Sequence, residues 1–147
     1  MNREEILAME AGDKLNRAVA EQFFNYKVEE KQGFYEFDTG EFMEMESGPD
    51  RALCYLANIE LGLWRALPCF STDILAAWQV VEKLVKRYVF DLYFDDVGEC
   101  WVCKLFDGAN EYRGYGTAPE AISKVVLLAR QAITQRPPES GEAQLRG

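Results

Sequence analysis

The sequence predicts an α+β domain in which helices flank a mostly antiparallel sheet. Three observations lead there. Three well-separated stretches place apolar residues at three- and four-residue spacing, the mark of helices with one buried face. Three short runs of alternating character, separated by turn residues, lie between the second and third of them. The chain has 147 residues, 48% of them hydrophobic and 28% charged, which is the size and usage of one globular domain.

The first helix is expected over about residues 3–23. Asn2 stands in the cap position with Glu5 three residues on, and Ala8, Ala11, Leu15, Ala18, Val19 and Phe23 form its stripe. Gly12 weakens it by up to ~1 kcal/mol relative to alanine. Residues 24–46 read as extended, with Gln32-Gly33 and Thr39-Gly40 as punctuation and Tyr35 and Phe37 sharing a face. Residues 46–50 read as a loop. Residues 52–67 fit neither period cleanly, so strand and short helix both stay open, and Pro68 ends the segment.

"CFSTDILAAWQVVEKL" (69–84) opens with a polar triplet. Ser71, or Thr72 one residue later, reads as the cap of a second helix, with Asp73 in its first turn. Ile74, Ala77, Trp78, Val81, Leu84 and Val85 form the expected core stripe. Gln79, Glu82, Lys83, Lys86 and Arg87 face away, with the cations toward the negative end of the helix dipole. Strands follow at 88–94, 99–106 and 111–116, joined by turns at Asp95-Asp96 and Asp107-Gly108. Their alternation predicts an antiparallel meander. Thr117-Ala118-Pro119-Glu120 starts the last helix with a capping box, and Ile122, Val125, Val126, Ala129 and Ile133 are its stripe. Residues 1–135 are thus one domain, and 136–147 a polar tail expected to be disordered.

Three segments, "NREEILAMEAGDKLNRAVAE", "FSTDILAAWQVVEKL" and "TAPEAISKVVLLA", occur in this order. They resemble the hallmark segments of the phage ABA sandwich domain family. The resemblance covers most of residues 2–130, with the middle and last segments the most specific. Residues 24–68 match nothing in it and read as a variable insertion. It implies a phage or prophage setting and a layered α-β-α sandwich, and it carries over no catalytic residues.

The net charge of −9 opposes general binding to nucleic acid or to an anionic membrane. The N-terminus is charged throughout and no apolar run approaches the ~20 residues of a membrane span. The expectation is a protein of the bacterial host cytoplasm, with Cys54, Cys69, Cys100 and Cys103 as reduced thiols. The absence of histidine removes histidine-based catalysis and mixed Cys/His metal sites. Cys100 and Cys103 form a CxxC, but residues three apart on a strand face opposite ways, and no second CxxC completes a zinc site. Gly114-x-Gly116 is too short for a phosphate loop. Neither a catalytic residue, a metal nor a cofactor is expected.

Trp101, Lys104, Tyr112, Arg113, Tyr115 and Thr117 are the candidate ligand-binding set. Aromatic faces stack on planar rings, while Arg, Lys and helix N-termini hold phosphates. These features predict a non-enzymatic phage protein that binds a nucleotide-like molecule and, in its sharpest form, an anti-defence protein that sequesters a host nucleotide immune signal. The alternative is an acidic module that uses "DTGEFMEME" to inhibit a basic host protein. An enzyme built on carboxylates or cysteine is the third reading. Self-association is compatible with the apolar run at 52–67.

Overall fold

The computed structural model describes residues 1–36, 38–39, 41–45, 48, 52–60 and 63–134, apart from the side chains of Glu60, Leu63 and Thr134. Phe37, most of the 46–50 loop and the tail from 136 lie outside the described residues. Eleven elements follow in the order α1 (Arg3–Ala8), α2 (Asp13–Gln22), β1 (Lys27–Tyr35), β2 (Phe42–Glu44), β3 (Ala52–Glu60), β4 (Leu63–Ala66), α3 (Ile74–Leu84), β5 (Val89–Asp95), β6 (Cys100–Phe106), β7 (Glu111–Gly116) and α4 (Ala118–Thr134). The α+β sandwich expected from the sequence is present. Its strands divide between two antiparallel sheets, ordered β2-β1-β3-β4 and β5-β6-β7. The second sheet is the expected meander.

The single helix expected over 3–23 is two helices. Asn2 caps the first as expected, its side chain accepting from the Glu5 N–H at 2.8 Å. The chain then leaves helical geometry at Met9 and turns at Gly12, whose φ of 144° is a backbone that side-chain-bearing residues rarely adopt. Ala8 and Ala11 are therefore exposed, while Leu15, Ala18 and Val19 are buried as the stripe predicts.

Gln32-Gly33 does not punctuate the chain; it lies inside β1. Gly33 is there because a Cβ would run into the Met43 carbonyl of the neighbouring β2. The ambiguous segment at 52–67 holds β3 and β4, a strand pair whose register shifts between Asn58 and Glu60.

Ser71 does not cap α3. Asp73 does, its carboxylate accepting from the Leu75 N–H at 3.1 Å. Ser71 is fully buried and clips two distant turns together. Its Oγ accepts from the Gly12 N–H at 2.9 Å and donates to Asn16 Oδ1 at 2.6 Å, which also accepts the Ser71 N–H at 2.8 Å. The buried polar groups of the α1–α2 break are thereby paired, as burial demands.

Helix α3 is also rolled relative to the expected stripe. Ala76, Ala77, Val80, Val81 and Leu84 are buried, whereas Ile74, Trp78 and Val85 are exposed by 45–53%. Small residues let α3 approach α4 closely, and bulky Trp78 is displaced to the flank, edge-on to Phe90 at 6.3 Å.

Helix α4 is the centre of the molecule. Every residue from Ala121 to Ala129 is buried, because β6 and β7 cover one side and α1, α2 and α3 the other. A helix buried all round shows no polar face. Its one buried cation, Lys124, is held by Glu120 at 2.9 Å and by the Leu7 carbonyl at 3.1 Å. The first sheet joins this core through Val28 and Ala57, with Leu67 just beyond β4 packed beside them.

Candidate functional site: a cation-rimmed cavity at the helix ends

Of the six residues proposed from sequence, Tyr112, Arg113 and Tyr115 line one cavity along β7 together with Arg3 and Glu111, whereas Trp101, Lys104 and Thr117 do not line it. Lys104 and Arg113 are directly opposite on β6 and β7, and Tyr115 is opposite Val102, so these three share the outer face of the second sheet. Trp101 and Tyr112 alternate onto the helix side. The same parity is present in the sequence, where 101 and 112 fall out of step with 104, 113 and 115. Arg113 is engaged on this face, its Nε donating to Glu111 Oε2 at 2.6 Å. That hydrogen bond is the main cause that lowers the Glu111 pKa and raises that of Arg113. Lys104 Nζ lies 5.3 Å from the centre of the Tyr93 ring, and the Tyr112 hydroxyl donates to Asp107 at 3.4 Å.

Thr117 is likewise occupied. Its hydroxyl accepts from the Glu120 N–H and its N–H donates to Glu120 Oε1, both at 3.3 Å. The Glu120 carboxylate also fills the space beside Gly116. A phosphate at this helix start would meet a resident carboxylate. Asp95 and Asp107 serve turns, accepting from the N–H groups of Val97 and of Ala109 and Asn110. Cys100 and Cys103 stand on opposite sides of β6, the first half-buried and the second buried. Burial and then the charge of Asp91 push the Cys103 thiol up to about 12.

A second cavity, at the helix ends, combines cations with aromatic rings and has no carboxylate in its wall among the described residues. The C-terminal end of α2, the turn after α3 and the last turns of α4 enclose a cavity of about 340 Å³. Leu84, Val126, Ala129 and Ile133 supply its apolar wall, Phe23 and Tyr88 its rings, and Asn25 a polar edge. Lys83, Lys86, Arg87 and Arg130 stand around it, and no carboxylate lines it among the described residues.

Two of the cations are fixed by the fold. Lys83 Nζ donates to the Phe23 carbonyl at 3.3 Å and lies 4.9 Å from the Phe23 ring centre and 5.1 Å from that of Phe24. Arg130 Nε donates to the Gln22 carbonyl at 3.1 Å. Both therefore satisfy carbonyls at the end of α2. Lys86 and Arg87 are exposed and make no ion pair among the described residues.

Complementing helix dipoles does not use up this charge. Each helix end is worth about half a negative charge, so the ends of α2, α3 and α4 offset roughly one and a half of the four cations. A positive surplus remains over an apolar, ring-bearing wall, on a chain whose net charge is −9. The sequence reading saw Lys83, Lys86 and Arg87 only as dipole partners. The basic run of Lys83, Lys86 and Arg87, followed at once by Tyr88, is the signal that the sequence offers.

The fold and this cavity define the class of the protein: an α+β sandwich domain with a small basic cavity between helix ends. The model of the phage ABA sandwich domain family matches residues 17–125, and the chain belongs to that family. It is similar in fold to a phage protein from Bacillus cereus, known from a crystal structure. The two share 23% identity with a TM-score of 0.56, over 83% of this chain and 93% of that one. No curated protein matches. No helix among the described residues is long and apolar enough to cross a membrane.

Proposed function

We propose that this phage-family protein is a non-enzymatic binding protein that sequesters a small anionic, ring-bearing molecule in the bacterial host cytoplasm. A host nucleotide immune signal is the ligand class that best fits this chemistry. The cavity carries the reading. Its volume of about 340 Å³ is within the range of small-molecule sites, which start near 300 Å³. Lys86 and Arg87 are the phosphate-facing cations in this reading, and Phe23 and Tyr88 the stacking surfaces. The chain has no histidine, which favours holding a ligand over turning it over.

Native mass spectrometry and calorimetry with a cyclic dinucleotide and with ADP-ribose test this directly. Binding of at least one is expected, with the ligand recovered intact. Affinity should fall by about tenfold or more in the Lys86→Ala/Arg87→Ala double variant, since hydrogen bonds to charged groups contribute about 1.5–3 kcal/mol each. Absence of binding by both nucleotides, or binding indifferent to the double variant, removes the proposal. Hydrolysed nucleotide would replace it with an enzyme.

One observation favours the alternative reading. Strand β2 is an edge of the first sheet, with Glu44 and Met43 exposed along it. Such an acidic edge suits a basic host protein. Salt-sensitive capture of a basic protein from host lysate, lost on Glu41→Lys/Glu44→Lys, is the outcome that reading requires.

A further inference from the structure

The second sheet has an edge that the rest of the molecule leaves open. β5 pairs with β6 over seven consecutive residues, and among the described residues no strand lies on its other side. It holds no proline, no lysine and no bulge, and its only charges are Asp91 and Asp95, both on the outer face. Its helix-side row is wholly apolar: Phe90, Leu92 and Phe94. That row extends at both ends into further aromatic surface. Trp78 stands edge-on to Phe90 at 6.3 Å, and Trp101 to Phe94 at 5.6 Å. Trp78, Phe94 and Trp101 are 46%, 48% and 38% exposed. A lone chain leaves these rings in water.

We infer that β5 is a self-association surface and that its partner is the β5 of a second copy, paired antiparallel about a two-fold axis through Leu92. The choice of partner follows from the residue pattern. A two-fold axis perpendicular to the sheet keeps side-chain faces matched, so the axis must pass through a residue pair. Centred on Asp91, two carboxylates meet across the axis. Centred on Tyr93, each Asp91 faces an Asp95. Centred on Leu92, all seven residues pair and no carboxylate faces another: Val89 meets Asp95, Phe90 meets Phe94, Asp91 meets Tyr93, and Leu92 meets itself. Like charges directly opposite destabilise a sheet, and aromatic pairs stabilise it. The Leu92 register also lays the Trp78–Phe90 end of one copy against the Phe94–Trp101 end of the other. The result is a continuous six-stranded sheet. This face is separate from the 52–67 segment and from the cavity.

Sedimentation or light scattering of the intact protein, together with hydrogen exchange at two concentrations, decides the matter. The expected result is a species of twice the 16.8 kDa chain mass, with amides of residues 89–95 exchanging more slowly as concentration rises. Phe94→Lys, at an exposed ring, should raise the dimer dissociation constant by about tenfold or more while the circular dichroism spectrum stays unchanged. A chain that is monomeric at about 100 µM, far above the micromolar range of many specific complexes, overturns the inference. So does a dimer that tolerates Phe94→Lys. Should that variant misfold, concentration-independent exchange of β5 in the native dimer overturns it equally.

Discussion

Cys103 shows how burial fixes the chemistry of one side chain. It lies on the helix side of β6 with Leu92 and Gly114 as its register partners, and it is fully buried. Burial disfavours the thiolate, so its pKa rises from 9.0 to about 12, with Asp91 adding to the effect. A group that holds its proton more tightly when folded supports the fold fully below its unfolded pKa. That support is lost as pH rises between about 9 and about 12, at no more than about 1.4 kcal/mol per pH unit. Wild type and Cys103→Ala, compared by urea unfolding from pH 8 to 11, should therefore converge. Wild type is the more stable at pH 8, where only the lost packing counts, and its advantage shrinks as pH rises. A constant gap would mean that the thiol ionises in the folded protein as it does in the unfolded one. At the same scale, Ser71 shows the limit of local reading. The preference of serine for helix caps is real, but its partners Gly12 and Asn16 are more than fifty residues away.

Between helix and sheet, α4 approaches β7 closely at Gly114. A Cβ on Gly114 would strike the Ala121 carbonyl and come within 2.9 Å of the Val125 nitrogen. Both are backbone atoms of α4 and cannot swing aside, so Gly114→Ala must push the helix off the sheet. Overpacking of this kind costs about 1–3 kcal/mol, and the urea midpoint should fall accordingly. An unchanged midpoint would show that the helix–sheet distance is not set by this glycine. The elements themselves were largely legible. The meander strands expected at 88–94, 99–106 and 111–116 are found at Val89–Asp95, Cys100–Phe106 and Glu111–Gly116, because alternation and aspartate turns are local signals. The Asn2 cap of α1 and the capping box of α4 were legible for the same reason. Less legible was which face each helix buries. α3 rolls so that Ala76 and Ala77 meet α4, and α4 buries all its faces, since its neighbours come from across the chain. Gly12 was read as a weak point in one helix, yet its positive φ makes it a break.

For the molecule as a whole, the candidate site was the least legible part. Phe23, the Lys83–Tyr88 segment and the end of α4 each look like an ordinary helix terminus, and only folding brings the three together around a cavity. The same arrangement implies an uneven distribution of stability. Helix α4 is shared by everything: β6 and β7 on one side, α1, α2 and α3 on the other. The first sheet is attached differently. Val28, Ala57 and Leu67 anchor the end where Lys27 pairs with Asn58. At the other end, where Gly33–Tyr35 pair with Phe42–Glu44, Phe34, Tyr35, Met43 and Leu53 are 36–52% exposed. Few buried contacts there oppose local opening, whereas α4 can open only with the whole core. Native-state hydrogen exchange should therefore give α4 residues 121–129 the global unfolding free energy. Residues 33–35 and 42–44 should exchange by an opening several kcal/mol cheaper, with little dependence on denaturant. Equal protection at both places would mean that the distal end of the first sheet is held by contacts beyond the anchor at Val28 and Ala57, and that the domain opens as a single unit.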